Sequence, residues 1–136
     1  MLDSEVNSNK RVVKVQDLDV YRAAFDAAMV VFEITKSYPK EERYSLIDQI
    51  RRSSGAVCAN LAEAWQKRLY EAAFVAKLSD SLAEASETQT WIEFSVKCHY
   101  LEVALGRELF KTYDQVIGRL IRMSSQPYQW LIRKPT

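Results

Sequence analysis

The chain has 136 residues, 3 glycines, 3 prolines, 48% hydrophobic and 27% charged residues, and a formal net charge of +1. That is one domain's worth, long enough to bury its own core. So few turn-forming residues exclude a β-sandwich or barrel, which needs a turn every ~8–12 residues, and the composition excludes both a disordered chain and a membrane span. What is left is a mostly helical domain. Its charge is unevenly spread: from residue 107 onward Arg107, Lys111, Arg119, Arg122, Arg133 and Lys134 face only Glu108 and Asp114. Cys58 and Cys98 stand alone, which suits a reducing cytoplasm, the expected compartment.

Residues 1–16 show no helical period and no apolar signal segment, and are expected to form a flexible lead-in. The bundle proper is expected over residues 17–126. Its first helix starts at Asp17 or Asp19, with Tyr21, Ala24, Ala28, Val31 and Thr35 at steps of three and four, and Pro39 ends it. The second helix begins between Glu41 and Ser45, with Ser45-x-x-Asp48 resembling a capping box. Its stripe is Ile47, Ile50, Ser54, Val57, Leu61 and Ala64. Gly55 costs about 1 kcal/mol there, and a close helix–helix approach is the expected compensation. A third helix runs from about Glu71 to Cys98 on Phe74, Leu78, Ser81, Ala85, Thr88 and Ile92. Tyr100 to Gly106 is read as the last turn, and the fourth helix, from about Arg107 to Ser125, carries Leu109, Tyr113, Val116 and Leu120.

The fold class is therefore all-α, an antiparallel up-down four-helix bundle. Its expected core includes Ile47, Ile50, Val57, Leu61, Leu78, Ala85, Ile92, Val116 and Leu120. Residues 127–136 (PYQWLIRKPT) are too apolar to float and are expected to dock on the bundle or on a neighbouring subunit.

Metal and nucleophilic chemistry are poorly served. A single histidine, His99, fails the count for a di-iron bundle and reads better as an interfacial residue at the end of the third helix. The three glycines stand apart, so there is no phosphate-cradling loop. No catalytic residue, cofactor or metal is expected. The alternative is a small enzyme using Arg51, Arg52, Asn60, Glu63, Glu84, Glu87 and Gln89 to bind an anion. The plainer reading of those residues is structural, with Arg51 or Arg52 pairing with Glu63, Glu84 or Glu87 as a buried pair between helices two and three. On the fourth helix, Arg107, Lys111, Arg119 and Arg122 are the candidate nucleic-acid-binding residues, a basic face opposite the apolar one.

One stretch is more specific. Gln49-Ile50-Arg51-Arg52-Ser53-Ser54 followed by Cys58-Ala59-Asn60-Leu61-Ala62-Glu63-Ala64 resembles the Q-I-R-R-A and S-I-x-x-N-I-A-E-G signature of the proteins encoded in intervening sequences of bacterial large-ribosomal-RNA genes. Asp17-Leu18-Asp19-Val20-Tyr21 is similar to that family's D-L-x-V-W opening, Tyr38-Pro39-Lys40-Glu41-Glu42 to its F-P-x-E-E link, and Ser81 and Glu84 to its Ser-x-x-Glu. Ala64 departs from the family's glycine, and Ser54-Gly55 is unusual within its second helix. The resemblance covers about residues 17–125 and implies a four-helix bundle without catalytic residues. A related branch serves as accessory protein of diversity-generating retroelements, where a basic pentameric barrel binds a reverse transcriptase and nucleic acid. The resemblance thus implies self-association, most simply a pentameric ring, and RNA, DNA or a nucleic-acid enzyme as partner; the +1 charge of this chain departs from the basic pattern. A toxin or regulator partner with no ligand of its own is a weaker third reading.

Overall fold

The computed structural model describes residues 12–133. Four helices run through them: α1 (Asp19–Thr35), α2 (Leu46–Trp65), α3 (Glu71–Lys97) and α4 (Val103–Ser125), with single 3-10 turns at Val15–Asp17, Lys40–Glu42 and Pro127–Gln129. α2 packs most extensively on α3 and α3 on α4, while α1 closes the circuit against α2 and α4. Short links make successive helices antiparallel, so the chain is an all-α up-down bundle. Among the described residues no helix is long and apolar enough to cross a membrane.

The three-four stripes form the core. Ile50, Val57, Leu61, Leu78, Ala85, Ile92, Val116 and Leu120 are buried together with Val31, Phe74 and Tyr113. Ile47 differs from expectation and is half-buried. It lies about 60° round the helix from Ile50, and its neighbour Leu46 points inward in its place. Small polar side chains let α2 and α3 approach: Ser81 donates to the Val57 carbonyl at 2.7 Å, and the Ser53 and Thr88 hydroxyls meet at 2.9 Å. All three are fully buried, and hydrogen bonding offsets the cost of removing them from water.

Four local expectations need correction. α4 starts at Val103, a turn earlier than Arg107, because Gly106 lies inside the helix rather than in the turn. There α3 comes so close that a Cβ on Gly106 would overlap Val96 Cγ2. Gly55 shows the reverse, with nothing within 4 Å of where its Cβ would stand. The close approach that offsets the cost of a helical glycine is therefore at Gly106. At the start of α2, Ser45 forms no side-chain cap. Its hydroxyl donates to Glu42 Oε1 at 2.5 Å, and that same oxygen accepts the Leu46 N–H at 3.4 Å. The Ser45 hydroxyl, and then that of Tyr100, hold the Glu42 carboxyl below its ordinary value. Finally, His99 does not lie between the helices of the bundle: it is exposed at the end of α3 with φ of 63°. The His99 N–H bonds the Val96 carbonyl at 3.0 Å and the Tyr100 N–H that of Ser95 at 2.9 Å. This is the left-handed helix stop that glycine usually supplies.

Both flanks lie on the bundle. Of the flexible lead-in expected over residues 1–16, residues 1–11 fall outside the described residues, as does Lys134. From Val12 on the chain packs: Val15 is buried, and the Asp17 carboxylate accepts the Val13 and Lys14 N–H groups at 3.0 and 3.1 Å. The tail turns back over the α2–α3 link. Trp130 stacks tilted on Trp65 at 6.2 Å, and the Ile132 N–H bonds the Arg68 carbonyl at 3.0 Å.

Candidate nucleic-acid interface

The buried stripe of α4 is Leu109, Tyr113, Val116, Leu120 and Met123. At 100° per residue this leaves Arg107, Lys111 and Arg122 within about 60° of one another on the opposite side, spread over about 22 Å of helix axis. All three are exposed, and among the described residues none forms an ion pair. Arg119 turns off this face towards α1 and is half-buried. With Arg122 it borders a cleft of about 480 Å³ between the lead-in, the start of α1, the end of α4 and the tail. The structure thus brings three of the four basic candidates onto one face and places the fourth round its edge. The lining of that cleft by Gln126, Gln129 and Trp130 escaped sequence reasoning. The signal available was an aromatic tail directly following the basic segment.

The polar residues of α2 and α3 do something else. Arg51 and Arg52 are adjacent and so project about 100° apart on the helix. Only Arg52 reaches α3, with Glu84 Oε1 at 3.4 Å and Glu87 Oε2 at 2.5 Å. The pair lies at the surface, Arg52 being 46% exposed, and so is not the buried pair expected. Burial alone would raise the Glu87 carboxyl; the Trp91 indole N–H and the Arg52 guanidinium together hold it below its ordinary value. Arg51 turns to α1, where it donates to Thr35 Oγ1 at 2.8 Å and lies 4.5 Å above the Phe32 ring. Glu63 pairs with Lys77 at 2.9 Å, and Asn60 Oδ1 accepts from the same ammonium at 3.1 Å. The Glu63 hydrogen bond raises the Lys77 ammonium above its usual value, burial opposing it. Gln89 ties α3 to α4 through the Phe110 carbonyl and Asp114. Arg51, Arg52, Asn60, Glu63, Glu84, Glu87 and Gln89 stay out of the larger clefts among the described residues, which have volumes of about 270–520 Å³. Their bonds join helices.

The family model described as 23S rRNA-intervening sequence protein matches residues 16–122. The chain belongs to that family. A crystal structure of a protein of unknown function from the S23 ribosomal protein family of Bacteroides thetaiotaomicron superposes on it with a TM-score of 0.71 at 24% identity. The superposition covers 79% of this chain and 99% of that one, a likeness of fold. No curated protein matches. In this chain the motif residues Arg52, Asn60 and Glu63 bond to α3, while Arg51 bonds to α1.

Proposed function

We propose that this protein is a non-enzymatic bundle that assembles with copies of itself and holds RNA against the outward face of α4. The observation that supports it best is the electrostatics of that face. Arg52 and Lys77 on the far side of the bundle are neutralised by carboxylates, whereas among the described residues Arg107, Lys111 and Arg122 form no ion pair, Glu93 and Asp114 lining the cleft that Arg107 and Lys111 border. A near-neutral chain that leaves three cations unpaired on one helix has a local field suited to phosphates. Assembly into a ring, five-membered on the family resemblance, would repeat that face once per subunit. Support for assembly comes from α1, where Phe25, Met29 and Phe32 are 48%, 47% and 41% exposed on one side.

The test is a binding titration with a structured RNA at low salt, read by mobility shift, alongside light scattering for mass. The parent is expected to bind and to run well above the 15.7 kDa of one chain. Arg107→Glu with Lys111→Glu should weaken binding at least about tenfold with the bundle intact, because exposed charges contribute little to stability. Unchanged affinity in the double variant, or a parent that binds nothing, refutes the RNA reading. A monomeric mass refutes the assembly.

A further inference from the structure

The cleft beside Arg119 has features that a plain basic face lacks. Its floor is apolar, from Val12, Leu18, Val20 and Met123, with the half-buried Trp130 indole on its wall. Both signs of charge line it, since Asp17 and Asp19 stand with Arg119 and Arg122. Asp17 accepts the Lys14 and Val13 N–H groups, which hold its carboxyl below the usual value and keep it anionic, and Asp19 pairs with Arg22. Arg119 and Arg122 form no ion pair among the described residues, so Arg22, Arg119 and Arg122 against Asp17 and Asp19 leave the cleft a formal charge of +1. Gln126 and Gln129 complete it, the Gln129 amide donating to Gln126 Oε1 at 2.7 Å.

We infer that this cleft takes one unstacked nucleotide of single-stranded RNA, the base against Trp130 and the adjoining phosphate on Arg119 and Arg122. An aromatic wall beside unpaired guanidiniums is the pairing that single strands use, ring stacking for the base and charge for the backbone. A volume of about 480 Å³ is of the size that encloses a small ligand. A duplex cannot enter, because its bases are stacked and paired, so the cleft gives the α4 face a preference for unpaired RNA. The inference rests on the RNA reading of α4 and adds to it a named strand state and a named pocket.

The experiment uses the full chain with a fluorescein-labelled 12-nucleotide single strand and the matching RNA duplex at 50 mM salt, read by anisotropy. The single strand is expected to bind at least tenfold more tightly. Trp130→Ala should erase that preference, Trp130→Phe should keep most of it, and Arg119→Gln should weaken the single strand more than the duplex. Because Trp130 also packs on Trp65, a second readout keeps the test independent of folding. A strand carrying 4-thiouridine, irradiated on the parent, should crosslink to residues 119–130. Crosslinks confined to Arg107 and Lys111, or equal affinity for strand and duplex in the parent, overturn the pocket and leave the RNA reading standing. A parent that binds neither RNA overturns both.

Discussion

Replacing glycine by alanine inside a helix normally stabilises it by about 1 kcal/mol, and the bundle offers that substitution at two positions on one helix with opposite surroundings. Gly118 has nothing within 4 Å of its Cβ position, so Gly118→Ala should gain about 0.5–1 kcal/mol. At Gly106 the added carbon meets Val96 Cγ2, a short branched side chain held on α3 that cannot swing aside. Overpacking of this kind costs about 1–3 kcal/mol, which cancels or outweighs the helical gain. The two chemically identical changes should therefore differ by about 1–3 kcal/mol, roughly 3 °C or more in Tm per kcal/mol for a chain of this size. Thermal melts followed by circular dichroism measure it. Val96→Ala opens the space, so the double variant Gly106→Ala with Val96→Ala should recover at least about 1 kcal/mol relative to the sum of the single changes. Should Gly106→Ala stabilise as much as Gly118→Ala, the claimed proximity of α3 and α4 is wrong.

Other substitutions probe separate parts of the structure. His99→Gly removes the strain of a left-handed non-glycine residue and should raise stability by about 1 kcal/mol in urea titration, where His99→Ala should not. Tyr113 is fully buried and its hydroxyl has no hydrogen-bond partner among the described residues, so Tyr113→Phe should melt at or above the parent temperature. Arg52→Ala breaks a partly exposed ion pair and should cost about 1 kcal/mol; a loss of about 3 or more would mean the pair is desolvated. Burial pushes the Cys58 thiol from 9.0 up to about 11. A raised folded value contributes stability in full below pH 9 and loses it as pH climbs towards 11, so Tm should fall over that window and fall less in Cys58→Ala.

Much of the fold was legible in residue spacing, because a helix that must bury one side can hardly hide its period. Ile50, Val57 and Leu61 on α2, like Val116 and Leu120 on α4, recur at the three-four interval and are all inside. What spacing could not show was what lies opposite each residue. Gly55 and Gly106 look alike in sequence, yet one faces open space and the other faces Val96. Adjacent arginines likewise differ by the 100° of one helical step, and that angle alone sends Arg51 to Phe32 and Arg52 to Glu87. The basic residues of α4 could be named from the sequence, but Arg119 shares a cleft with Trp130 only because the tail folds back over α4 and the α2–α3 link. Arg119 and Trp130 are near in the chain, but the other side of the cleft is Val12 and residues 17–20, and contacts between segments that far apart leave no local pattern.

The central claim is that unpaired cations on α4 hold phosphates, and its most direct test is the salt dependence of RNA affinity. Each phosphate contact to a single strand contributes about −0.7 to the slope of log K against log salt, so three contacts from one subunit predict a slope of about −2 or steeper between roughly 50 and 200 mM. Changing Arg107, Lys111 and Arg122 together to glutamine should flatten that slope to about −0.7 or shallower, the share left to Arg119, with circular dichroism unchanged. An affinity that does not vary with salt in the parent, or a slope that survives the triple substitution, would contradict the account.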